Sequence, residues 1–120
     1  MKEEEYIARL QALWIQSGQV PRAALAVADE AVKAFPKSAM LWLMRGQLIA
    51  MGSEHDFHSP DDARKSFEKA MELDPHFANA YLELGNYHAG YGKNPETALI
   101  NFKKAEQLRQ TSNNSAQPRS

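Results

Sequence analysis

The sequence predicts an all-α fold in which three helix–turn–helix units, six helices in all, stack side by side. Three observations carry this reading. One pattern occurs three times, as Pro21, Ala24, Ala28 and Ala31, then Pro60, Ala63, Phe67 and Ala70, then Pro95, Ala98, Phe102 and Ala105, with the prolines 39 and 35 residues apart. Upstream of each set lies a second stretch, roughly 3–17, 38–52 and 77–91, with apolar residues at helical spacing. No run alternates apolar and polar residues with β-branched enrichment, so a sheet has no source.

Each element follows from local chemistry. The three-and-four spacing puts every proline-led set on one helix face, and proline suits a first helical turn because its missing N–H has no partner there. Ser59 and Asn94 stand just before the second and third prolines, where their side-chain oxygens can accept first-turn amides. Ser59 with Asp62 approximates a capping box. Pro36 and Pro75 end the first two proline-led helices, because proline cannot continue one. Gln110 occupies that place in the third copy. The acidic start Glu3, Glu4 and Glu5 sits at a helix N-terminus, where negative charge complements the macrodipole.

Composition narrows the function classes. Fourteen basic against fifteen acidic residues give a formal net charge of -1, which provides no whole-molecule field for phosphate backbones or anionic lipid, so nucleic acid is not an expected partner. The longest apolar stretch, Ala39 to Met44, is far short of the ~20 residues that span a bilayer, and membrane insertion is not expected. The charged start lacks the basic patch and apolar run of a secretory signal, and with no cysteine there is no disulfide framework. The expected location is the cytoplasm. No Ser-His-Asp spacing, glycine-rich phosphate loop or His-x3-His pair is present, so neither an enzyme nor a cofactor is expected.

The repeats resemble the tetratricopeptide repeat, whose first helix carries an aromatic, a Leu-Gly pair and a second aromatic, and whose second helix carries alanine, an aromatic and a closing proline. The third copy matches with Tyr81, Leu84, Gly85, His88, Ala98 and Phe102. The second matches with Trp42, Gly46, Ile49, Ala63, Phe67 and Pro75, with Arg45 where leucine is usual and a longer connection between its helices. The first is the most divergent, with Ile7, Leu10, Gln11, Trp14, Ala24, Ala28 and Pro36. The resemblance implies a right-handed superhelical stack of repeats at about 3–36, 38–75 and 77–109, forming one domain over 1–109. Residues 110–120, rich in Ser, Asn and Gln, are expected to be a disordered tail. Gly46, Gly85 and the alanines are expected to let helices approach, with aromatics filling the space between neighbouring pairs. Val32 and Met71 are apolar where a following repeat would pack, whereas Glu106 takes that position in the last helix, as expected of a polar terminal face.

In this family the first helices line a concave groove that grips peptides or helices. The matching residues are Ala8, Arg9, Ala12 and Ile15 from the first repeat, Met40, Leu43, Met44, Gln47 and Met51 from the second, and Leu82, Glu83, Asn86 and Ala89 from the third. Methionines accommodate varied apolar guests, so a helix or apolar segment of a partner protein is the expected ligand. The alternative is that Met40, Leu43 and Met44 belong to the core. Some family members hold chaperone C-terminal carboxylates with lysine, arginine and asparagine. The corresponding residues resemble Ala8, Ala12, Met44, Asn79 and Glu83, which supply no cation, so such tails are not expected to bind.

Two lesser readings remain. Apolar surface on the groove or the end helix would let two copies pair as a homodimer. The insertion Glu54 to His58 offers His55 and His58 beside carboxylates, a weak metal-ligand pattern, since zinc sites need three or four converging ligands. His76 and His88 each stand alone and are expected to be structural.

Overall fold

The computed structural model describes residues 2–17, 22–51 and 60–116. Among them are six helices and no strand: α1 (Glu3–Ser17), α2 (Arg22–Ala34), α3 (Ala39–Met51), α4 (Pro60–Leu73), α5 (Ala78–Ala89) and α6 (Pro95–Ala116). Every helix packs on its successor. α1 also meets α3, and α3 meets α5, whereas the even-numbered helices do not approach one another. The odd helices therefore form a closer inner layer and the even ones a splayed outer layer, which makes the odd side the concave one.

The first two inter-repeat turns are built alike. Phe35–Ser38 closes with the Ser38 amide donating to the Phe35 carbonyl at 3.1 Å, and Asp74–Phe77 closes with Phe77 donating to Asp74 at the same distance. Pro36 and Pro75 sit at the second turn position, where the ring presets φ. An aromatic then ties each turn to the next repeat: Trp42 Nε1 donates to the Pro36 carbonyl at 2.9 Å, and the Tyr81 hydroxyl to that of Pro75 at 3.1 Å. The Ser38 hydroxyl also accepts the Leu41 amide at 3.3 Å, capping α3, and donates to Glu3 on α1.

Asn94 caps α6 as expected, its Oδ1 accepting the Thr97 amide at 3.2 Å. Ser59, the corresponding cap before α4, lies outside the described residues, as do His55, Phe57 and His58. The turn before α6 places Lys93 at φ 50, in the left-handed region that favours glycine.

Small residues set the helix spacing within a repeat. A Cβ on Gly46 would come within 2.5 Å of the Phe67 ring, and one on Gly85 within 2.6 Å of Phe102. Phe67 and Phe102 therefore pack against the glycine inside their own helix pair. Trp42 and Tyr81 bond to the turns between pairs. Around them Leu10, Leu41 and Leu48 are fully buried, together with Ala24, Ala28, Ala31, Ala70 and Ala80.

The chain's last stretch differs from expectation over 110–116, because α6 continues through Ala116 where a tail over 110–120 was expected to be disordered; residues 117–120 lie outside those described. The reason is an absence of stop signals: Gln110 stands where Pro36 and Pro75 interrupt the earlier copies, and neither proline nor glycine occurs between Glu96 and Ala116. Val32 is buried, Met71 half-buried and Glu106 exposed. Yet α6 also exposes Leu99 and Ile100, which the sequence reading did not single out.

Arg45, at the position where leucine is usual, is a polar cross-link between three helices. Its Nε pairs with Asp29 of α2 at 2.7 Å, its Nη1 donates to the Ser66 hydroxyl of α4, and its guanidinium stands 5.9 Å from the Trp42 ring centroid. Ser66 has no solvent exposure at all.

Candidate partner-binding groove

The inner face is assembled from one side of α1, α3 and α5, since residues three and four apart share a helix face. From α1 come the exposed Ala8, Arg9 and Ala12, and from α3 the exposed Met40 and the half-buried Gln47. α5 adds half-buried Leu82 and Glu83 and exposed Asn86 and Ala89. Ile15 and Met51 fall on α1 and α3, but their side chains lie outside what is described.

Leu43 and Met44 are not open groove residues. They are 2% and 4% exposed and belong to the core cluster with Tyr6, Leu10 and Leu48. The physical reason is position: α1 and α5 close on α3 from either side, so the middle helix of the inner layer keeps little free surface. A charge placed at either residue would test stability and not binding.

A pocket of about 180 Å³ opens where α3, α4 and α5 converge. Gln47, Ala50 and Ala63 line it together with Glu83, Asn86, Tyr87 and Tyr91. Gln47, Glu83 and Asn86 belong to the sequence-derived set, whereas Tyr87 and Tyr91 do not. Tyr87 had a signal, standing four residues from Glu83 on the same face of α5, whereas Tyr91 stands beyond the helix end, where helical spacing gives none. The rings lie 6.3 Å apart at 33°. Beside Tyr87, in the first turn of α4, Asp61 takes Arg64 at 2.8 Å.

Glu83 is the chemically distinct group here. Burial pushes its carboxyl above the ordinary carboxylate range, while hydrogen bonds from the Asn86 and Gln47 amides act in the opposite direction. The native state thus holds this proton more tightly than the unfolded chain does. Glu83 accordingly favours folding most below the ordinary carboxylate range, and that contribution is lost as pH rises through the raised native value. Glu83→Gln, uncharged and of the same shape, is expected to melt above wild type near about pH 7, with the gap closing near about pH 3. Thermal denaturation followed by circular dichroism at both pH values checks this, and a pH-independent gap contradicts it.

Comparison with known proteins places this geometry. A tetratricopeptide repeat family model matches residues 15–56, and the whole stack superposes on the TPR2B domain of yeast Sti1, in complex with an Hsp70 peptide, with a TM-score of 0.77 over 95% of this chain and 85% of that one. Residues 15–56 are thus similar to the tetratricopeptide repeat, and the six-helix stack has the fold of tetratricopeptide repeat domains. Identity to the Sti1 domain is 22%, so the likeness is one of fold. A second tetratricopeptide structure, the second such domain of Spaghetti (RPAP3) bound to an HSP90 peptide, gives a TM-score of 0.74 at 17% identity, covering 90% of this chain and 93% of that one. The crystal structure of MamA gives 0.75 at 21% identity over 94% of this chain and 61% of its own. Among curated proteins, the anaphase-promoting complex subunit CDC27 of Saccharomyces cerevisiae is 35% identical over 63 residues, which is 52% of this repeat protein but only 8% of CDC27. No helix among the described residues is long and apolar enough to cross a membrane.

Proposed function

We propose that this repeat protein is a non-catalytic, cytoplasmic interaction module, an adaptor or assembly factor that holds a peptide or helix of a partner protein on the inner face of α1, α3 and α5. The observation that carries the reading is the composition of that face. Ala8 and Ala12 on α1, Met40 on α3 and Leu82 and Ala89 on α5 are wholly or partly exposed, giving a surface of small and apolar groups on a concave layer. Such a surface suits an apolar guest. The peptide complexes of the two chaperone-binding neighbours support peptide holding as a use of this architecture. The HSP90 peptide of one of them, SRMEEVD, is acidic, and such a guest is not the one expected here, since Ala8, Ala12, Met44, Asn79 and Glu83 provide no cation for a C-terminal carboxylate.

Ala12→Arg combined with Ala89→Arg places bulk and charge on the face at exposed positions, so the variant should stay helical. Affinity capture from the native cell is expected to lose partners with this variant. Equal capture by both proteins would refute the groove reading. A second reading, pairing of two copies, is favoured by Leu99 and Ile100, which are 53% and 67% exposed on α6. Light scattering that gives a monomer mass at all concentrations removes it.

A further inference from the structure

We propose that the pocket between α3 and α5 receives a lysine or arginine side chain of the partner segment, with the Glu83 carboxylate as its counter-ion and the tyrosines at 87 and 91 as an aromatic wall along its stem. The proposal rests on the groove reading above and names the chemistry that the groove selects.

The argument begins with what Glu83 lacks. Among the described residues no cation pairs with it, and its polar contacts are neutral amides, with Asn86 Nδ2 at 3.4 Å and Gln47 beside it. The cations on α4 are engaged elsewhere: Arg64 holds Asp61 at 2.8 Å and Glu68 at 2.7 Å, and Lys65 lies 3.8 Å from Asp61. Arg9 belongs to α1, which does not meet α5. Glu83 is thus a half-buried carboxylate satisfied only by neutral donors, a setting in which an arriving cation gains more than on open surface, because nearby water is scarce and the charges interact through a lower dielectric.

The remaining lining has the same polarity. With the Gln47 and Asn86 amide nitrogens turned to Glu83, their amide oxygens are left as acceptors, and the phenols can accept as well. The two tyrosine rings, 6.3 Å apart with Tyr91 more than half exposed, offer faces to an alkyl stem and to a cation. A volume of about 180 Å³ admits one long side chain. A carboxylate guest would meet repulsion from Glu83, and an apolar guest would bury that charge further without a partner.

Short random peptides displayed on phage and selected against the wild-type protein provide the probe. Selected sequences are expected to share a lysine or arginine. In synthetic peptides, replacing it by norleucine should weaken binding to wild type about tenfold, the scale of one charge-assisted hydrogen bond, but should change binding to Glu83→Gln by less than about twofold. Peptides that perturb the Leu82 and Ala89 resonances yet bind equally well without the basic residue would overturn this inference and leave the groove reading standing. A selection that yields no binder, or only binders that leave those resonances unmoved, overturns both.

Discussion

Phe67→Ala is expected to cost about 3–5 kcal/mol of folding stability, because the ring is 2% exposed and its removal opens a cavity at the centre of the second repeat. Gly46→Ala acts at the same contact from the other side. Its Cβ would stand 2.5 Å from a ring that has no space to move, so overpacking is expected to cost about 1–3 kcal/mol despite alanine's better helix propensity. The two changes should not add. Once the ring is gone, a methyl at position 46 meets no obstacle, fills part of the cavity and favours the helix, so the double variant should be more stable than Phe67→Ala alone. Urea denaturation of the four proteins checks this, and simple additivity would mean that the glycine is not there to admit the ring.

Arg45→Leu restores the residue usual in this family and is nevertheless expected to destabilise, by about 2 kcal/mol. The guanidinium bridges Asp29 on α2 and Ser66 on α4, and Ser66 is fully buried, so losing the donor that approaches its hydroxyl leaves a polar group in a dry interface. The size is held down because Asp29 keeps about a third of its side-chain exposure and can regain water. Adding Ser66→Ala should recover part of the loss by removing the hydroxyl as well. If Arg45→Leu alone melts at or above wild type, the cross-link contributes no stability and hydrophobic packing decides that position.

Much of this was legible before any coordinates. The three prolines at 21, 60 and 95 and the small residues following them marked the even helices, and the element boundaries observed for α1, α3 and α5 lie close to the stretches read from periodicity. These signals are local: capping, the missing proline N–H and a helical apolar period act within a few residues of chain. The pairing of Arg45 with Asp29 and Ser66 was not legible, because the partners lie 16 and 21 residues away and no local rule joins them. The candidate site divides in the same way. Gln47, Glu83 and Asn86 were reachable from repeat positions, whereas the role of Tyr91 depends on how the turn after α5 folds back beside Tyr87.

By itself the sequence determined six helices, their order and their pairing into repeats, since repeated proline, glycine and alanine positions leave few other ways to bury the apolar stripes. Only the tertiary structure decided which of the inner-face residues are available to a guest. Leu43 and Met44 occupy the same repeat positions as Ala8, Arg9, Leu82 and Glu83, but their helix is flanked on both sides while α1 and α5 are flanked on one. Exposure at a repeat position depends on what stands next to the helix, and one repeat unit does not encode that.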